Sequence, residues 1–173
     1  MRPFAPLELL SPARDLETAR AAVLHGADAV YIGGPAFGAR QAAGNSFEDL
    51  ARVADFAHQY RARVYMTLNT LIYDNEFDQA VEAAWKAKES GIDALIVQDL
   101  GLARLIHAHA PDFALHASTQ MTIHTLDGAK VAKDWGFSRV VLSRECTLEQ
   151  IQDITANAGV ETEVFVHGAL CMC

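Results

Sequence analysis

His167, Cys171 and Cys173 put an imidazole and two thiols into one short stretch. These are ligand types for zinc or an iron–sulfur centre, but three donors bunched in one segment do not complete a structural zinc site. Arg144, Glu145 and Cys146 follow one another directly. Cys146 begins a helical stretch, where a thiolate would be favoured, although a buried inert thiol is the commoner case. His116, Glu145 and His167 are the candidates for moving a proton. Arg40 and Arg144 suit bidentate capture of a carboxylate, or else structural pairing with Asp99 or Glu145. Asn69, Gln98 and Gln120 carry amides that can pair with the polar edge of a ligand. The remaining histidines fall on helical stretches or their ends and read as surface residues. Neither a Gly-x-Ser-x-Gly elbow nor a His-Glu-x-x-His helix occurs, so the common hydrolase signatures are missing.

A repeat explains how these residues come together. Gly26-Ala-Asp-Ala-Val-Tyr-Ile-Gly-Gly34, Gly91-Ile-Asp-Ala-Leu-Ile-Val-Gln-Asp99 and Gly136-Phe-Ser-Arg-Val-Val-Leu-Ser-Arg144 each follow an amphipathic stretch. Glycine closes a helix in the left-handed conformation, and the unbroken apolar run after it fits a strand buried on both faces. Strands are expected near 7–11, 28–33, 63–69, 94–98, 114–118, 139–143 and 162–167, with helices near 15–25, 46–60, 75–90, 99–109, 122–135 and 147–158. Ser46 with Asp49, and Thr147 with Gln150, have the spacing of capping boxes. Strict βα alternation means a parallel sheet. With no Gly-x-Gly-x-x-Gly after the first strand, the pattern predicts an α/β fold of TIM-type (β/α) barrel, with about seven of eight units in one domain over 1–173. The candidate residues above then gather at the C-terminal strand ends, where such barrels do chemistry. Gly33, Gly34 and Gly38 in that rim either permit a tight loop or let backbone approach a ligand.

Composition narrows the classes. The 173 residues are 51% hydrophobic and 21% charged, enough for one sizeable core and too apolar for disorder. No run is long enough for a membrane span and no secretory signal stands at the start. A formal charge of −8 argues against nonspecific nucleic-acid binding, though not against a local basic site. Three cysteines, unevenly placed, do not make a disulfide scaffold, which points to the reducing cytoplasm. The terminal FVHGALCMC reads as a buried strand with no polar tail, so the chain is expected to be part of a longer protein. Open, apolar barrel edges would then favour pairing, including a homodimer.

Taken in order, ELLSPARD at 8–15, GADAVYIGG at 26–34, FGAR at 37–40, AGNS at 43–46, NTL at 69–71, ALIVQDLG at 94–101, LHASTQ at 115–120, RVVLSRE at 139–145 and EVFVHGALC at 163–171 resemble the peptidase U32 family, often labelled collagenase-like proteases. Within it, SPARD and GGPAFGAR are similar to the branch linked to hydroxylation of a cytidine in large-subunit ribosomal RNA. The resemblance implies a TIM-type barrel and a [4Fe–4S] cluster on four cysteines, the first matching Cys171. Only Met172 and Cys173 follow, so a complete cluster is not expected on this chain alone. It also implies ribosomal RNA or its precursor as partner, and a small carboxylic acid such as prephenate. The family label implies a peptidase as the alternative, and the missing cysteines leave an inactive fragment or scaffold as a third reading.

Overall fold

The computed structural model describes residues 7–39 and 44–168. Along them run β1 (Leu10–Ala13), α1 (Leu16–Leu24), β2 (Ala29–Gly33), α2 (Phe47–Gln59), β3 (Arg63–Leu68), α3 (Phe77–Glu89), β4 (Ala94–Val97), α4 (Leu100–His109), β5 (Ala114–Ala117), α5 (Leu126–Asp134), β6 (Arg139–Val141), α6 (Leu148–Asn157) and β7 (Glu161–Glu163). Each strand pairs in parallel with the next, giving one seven-stranded sheet in chain order. Seven units of a TIM-type barrel are therefore present among the described residues, with β1 and β7 as the two edges.

Local chemistry sets the punctuation. Asp15 with Thr18, Ser46 with Asp49, and Thr147 with Gln150 form capping boxes that start α1, α2 and α6. Gly26, Gly91 and Gly136 follow helices with positive φ, as the repeat requires. At Gly136 space matters too: a Cβ there would stand 2.5 Å from the His107 ring. Some predicted bounds shift. Pairing of β1 begins at Leu10 opposite Ala29, so the strand lies at 10–13 rather than 7–11. The last strand ends at Glu163 rather than running to 167. The helix expected from 122 starts at Leu126, because Thr119–Met121 forms a 3-10 turn, Thr122 takes a left-handed φ of 54°, and Thr125 caps the helix.

The sheet has two buried faces. Val30, Ile32, Val64, Met66, Leu68, Leu95 and Leu115 point outward into the layer shared with the helices, among Leu50, Val53, Leu102 and Ile106. Ala29, Tyr65, Ala94 and Ile96 form a second cluster on the inward face. Alternate residues thus serve different layers, although the strands read as continuous apolar runs.

The lumen also holds a buried ionic group. Arg139, 8% exposed, donates from Nη1 to Glu8 and from Nε and Nη2 to Glu161 Oε2 at 3.0 and 2.8 Å. Glu163 Oε2 lies 3.5 Å from Nη1. Tyr65 Oη donates to the other Glu8 oxygen at 2.8 Å, and Arg63 stands 3.7 Å from it. Burial alone would raise the Glu8 pKa, but the hydrogen bonds from Arg139 and Tyr65 outweigh it and hold the carboxyl below its ordinary value. Burial and Glu8 push the Tyr65 phenol up to about 12, so it stays a donor. Removing one member of a buried ion group strands its partners, at about 3–5 kcal/mol. Arg139→Met should therefore lower the urea-unfolding free energy by about that amount. A loss below about 1 kcal/mol would show that the group adds little to stability.

Candidate functional site

Above this ionic layer, at the C-terminal end of the strands, the lumen opens into a cavity of about 320 Å³. Its walls come from inward positions two residues apart. Pro12 and Arg14 end β1, Tyr31 and Gly33 end β2, and Thr67 and Asn69 end β3. Ile96 and Val141 come from β4 and β6, Ser118 and Gln120 follow β5, and Glu163 and Phe165 come from β7 and beyond. The apolar walls carry a few polar groups, the usual make-up of a small-molecule site.

Two amides fix the loops around the mouth. Asn45, 6% exposed, donates to the carbonyls of Arg14 and Gly33, both at 2.9 Å, tying the end of β1 to that of β2. Asn69 accepts from Ala39 N at 3.0 Å and reaches Ser118 Oγ at 3.4 Å. A Cβ on Gly34 would meet Met66 Sδ at 2.8 Å, so this glycine serves close packing.

Of the residues singled out by sequence, Asn69 and Gln120 line the cavity. His116 lies one layer below, in register with Ile96, 4% exposed, with its ring edge-on to Tyr65 at 4.7 Å. Burial, then the charges of Arg139 and Arg63, push its pKa down to about 3, so the imidazole is neutral. Its Nδ1 has no hydrogen-bond partner. Gln98 follows β4, half-buried and outside the cavity wall. Asp99 caps α4, accepting from Leu102 N at 2.8 Å. Glu145 is exposed, and its short hydrogen bond from Ser143 holds its pKa below the ordinary value. Arg144 lays its guanidinium 4.2 Å over the Phe165 ring. With Cys146 and His167 it lines a second cavity of about 320 Å³, on the outer side of Phe165. Arg40 and Cys171 lie outside the described residues.

Burial, then Glu145, raises the Cys146 pKa, so this thiol is not activated. Among the described residues no group of His, Cys, Asp and Glu could hold a metal ion. Glu163 is the principal residue that the sequence did not single out. It sits inside an apolar run, and the available signal was the alternation that aims Glu163 and Phe165 inward. Burial raises its pKa, against the opposing effect of Arg139. Among the described residues no helix is long and apolar enough to cross a membrane.

The family model for peptidase family U32 matches residues 14–173. The chain is 51% identical over 166 residues to the 23S rRNA 5-hydroxycytidine synthase of Escherichia coli, covering 96% of this chain and 25% of that protein. It is 36% identical over 168 residues to tRNA hydroxylation protein P of Helicobacter pylori, covering 95% of this chain and 40% of that one. The chain thus spans less than half the length of either relative. Among solved structures, the U32 peptidase Mk0906 superposes with a TM-score of 0.74 at 12% identity, over 95% of this chain and 70% of that one. A thiamine phosphate pyrophosphorylase from Pyrococcus furiosus superposes with a TM-score of 0.56 at 14% identity, over 92% and 85%. These two likenesses show the barrel fold.

The neutral imidazole of His116 has a measurable consequence. Its folded pKa of about 3 lies below an ordinary 6.5, so the unfolded chain takes up a proton first as pH falls. The stability it contributes is complete above about pH 6.5 and is lost progressively towards pH 3. His116→Phe, which keeps a ring beside Tyr65, should flatten the loss of unfolding free energy between about pH 7 and about pH 5, by roughly 2 kcal/mol. Equal slopes for the two proteins would mean that His116 titrates normally.

Proposed function

Since the chain belongs to peptidase family U32, we propose that it is the barrel portion of an RNA base hydroxylase acting on a cytidine of large-subunit ribosomal RNA. One observation carries this reading: 51% identity, over nearly the whole chain, to a protein named for making 5-hydroxycytidine in 23S rRNA. The name of the tRNA hydroxylation protein supports the broader activity. Putting oxygen on a pyrimidine carbon is redox chemistry that side chains do poorly, so a cofactor supplies it. The described residues do not fit an iron–sulfur cluster, since none of their groups could hold a metal. We assign the [4Fe–4S] cluster to the longer protein, with Cys171 as one ligand by family resemblance.

The task of the barrel's own residues is to bind and orient. Asn45 and Asn69 hold the loops of the mouth in place. Pro12, Tyr31, Ile96 and Phe165 offer apolar surface that excludes water from a ring. A small carboxylic acid such as prephenate would be held at the rim, where Arg14 lines the main cavity and Arg144 the second. The reducing cytoplasm is the compartment this chemistry suits. The unpaired edges of β1 and β7 would favour strand pairing, a second copy included. The peptidase reading gains little from the site. Cys146 is the free cysteine among the described residues; its Sγ lies 3.9 Å from the His124 carbonyl, and its thiol is not activated.

Cells lacking the cytidine modification test the proposal. The full-length gene should restore the mass of one oxygen on a single 23S rRNA cytidine, read by mass spectrometry of nuclease fragments. Cys171→Ala in that gene should abolish the gain. Unchanged RNA, with peptide hydrolysis that needs Cys171, would overturn the reading.

A further inference from the structure

The wall of the main cavity has a gap. Pro12 and Arg14 line it from the end of β1, and Glu163 and Phe165 from β7 and just past it. Among the described residues no strand pairs with the free edge of either. Barrels of this type close at eight strands, so one strand's place is open between β7 and β1. At the bottom the side-chain link from Glu8 to Arg139 holds the two edges together, which suits a single strand and not the edge of a second barrel.

The two edges differ in what they offer. A strand residue turns its N–H and C=O to one neighbour, and the next residue turns them to the other side. The Leu9 carbonyl accepts from Ala29 N at 3.2 Å, so Ser11 and Ala13 also face β2, and Leu10 and Pro12 face the gap. Proline has no N–H, so the β1 edge offers a donor at Leu10 alone. On β7, Glu161 N donates to the Ser138 carbonyl at 3.2 Å, and the Glu163 carbonyl accepts from Leu142 N at 2.9 Å. Thr162 and Val164 therefore face the gap, each with a donor and an acceptor. The outer layer differs in the same place. Val30, Val64 and Leu95, outward on inner strands, are 0% exposed beneath the helices. Val164 and Val166, which follow β7 on the outer side of Phe165, are 40% and 86% exposed.

We propose that this gap docks one helix–strand unit of the longer protein, and that the binding cavity is incomplete without it. The unit's strand pairs in parallel with β7 at Thr162 and Val164, and its helix covers Val164 and Val166. A right-handed helical crossover from β7 sets the next parallel strand on its free side. Inward side chains of that strand fill the wall between Phe165 and Pro12. The inference rests on reading this chain as the barrel portion of a longer protein, and adds where the rest attaches and what it gives the site. This chain covers 25% and 40% of the two relatives described above, so either has length to spare for a unit of about 30 residues.

Residue-resolved amide hydrogen exchange on the full-length protein tests this, with Leu95 in the middle of the sheet as the internal reference. The Thr162 and Val164 amides should exchange at least about a hundredfold more slowly than in an unstructured peptide, and the protection should not change on dilution. Fast exchange at both, with Leu95 protected, would overturn the inference. Protection that disappears as a dimer dissociates in sedimentation would overturn it too, in favour of a second copy. Val166→Asp gives a second reading. It should leave the urea midpoint of the 173-residue chain unchanged, because the side chain is exposed there, and shift that of the full-length protein downwards. No shift in the full-length protein would count against a covering helix. RNA hydroxylation by a full-length protein with unprotected β7 amides would overturn this inference alone. Protected amides without hydroxylation would overturn the RNA reading alone.

Discussion

A single guanidinium organises the inside of this barrel. Arg139 is buried on β6, and its carboxylate partners stand ahead of β1 and on β7, the two ends of the sheet. No backbone ladder joins those ends, so the link between Glu8 and Arg139, residues 131 apart in sequence, is made by side chains across the lumen. A buried cation without partners would be costly, and so would the largely buried Glu8 and Glu163 carboxylates without the cation. The curl of the sheet and the charge balance of the lumen are thus one constraint. Opening the edges would separate Glu8 from Arg139.

The cavity exists because of how the layer above is built. Inward positions on several strands carry small side chains: Ala29, Ala94 and Ala114 beside Tyr65 at the bottom, and Gly33 on the cavity wall above. The outward positions of the same strands carry Val, Ile, Leu and Met, which fill the space under the helices. One alternation therefore yields a dense outer layer and a roomy lumen. At the bottom Tyr65 and the Arg139 group fill that room and satisfy their hydrogen bonds. At the top the room is left open as the cavity. Stability is concentrated at the N-terminal end of the strands and binding capacity at the C-terminal end, the usual division in this fold.

Element order was legible from the repeat of Gly26, Gly91 and Gly136, and two helix starts from their capping boxes, because both depend on neighbours in sequence. Facing relations across the lumen were not, because they depend on curvature. His116 at a strand end reads as a proton carrier, yet the pleat sends it one layer down, against Tyr65. Asp99 reads as a rim acid, yet it is spent on the first turn of α4. Glu163 reads as an interruption in an apolar strand, and only the inward alternation shows that it faces the same space as Asn69 and Gln120. Arg144 and His167 follow the same rim but border the outer cavity, because Phe165 stands between the two.

Charge decides how an RNA could use such a site. At −8 overall, the chain gains little from general attraction to phosphates, and long-range repulsion opposes contact over most of its surface. On the proposed reading, affinity must come from short-range terms, chiefly apolar and aromatic contact with one ring in the cavity. Those terms act only after a base has left its stack, at a cost of a few kcal/mol that is least where the nucleotide is already unpaired. On that reading an exposed, single-stranded nucleotide suits the cavity better than one held in a duplex. Arg14, paired with Asp15 at 2.9 Å, borders the main cavity, and Arg144 borders the second one beyond Phe165.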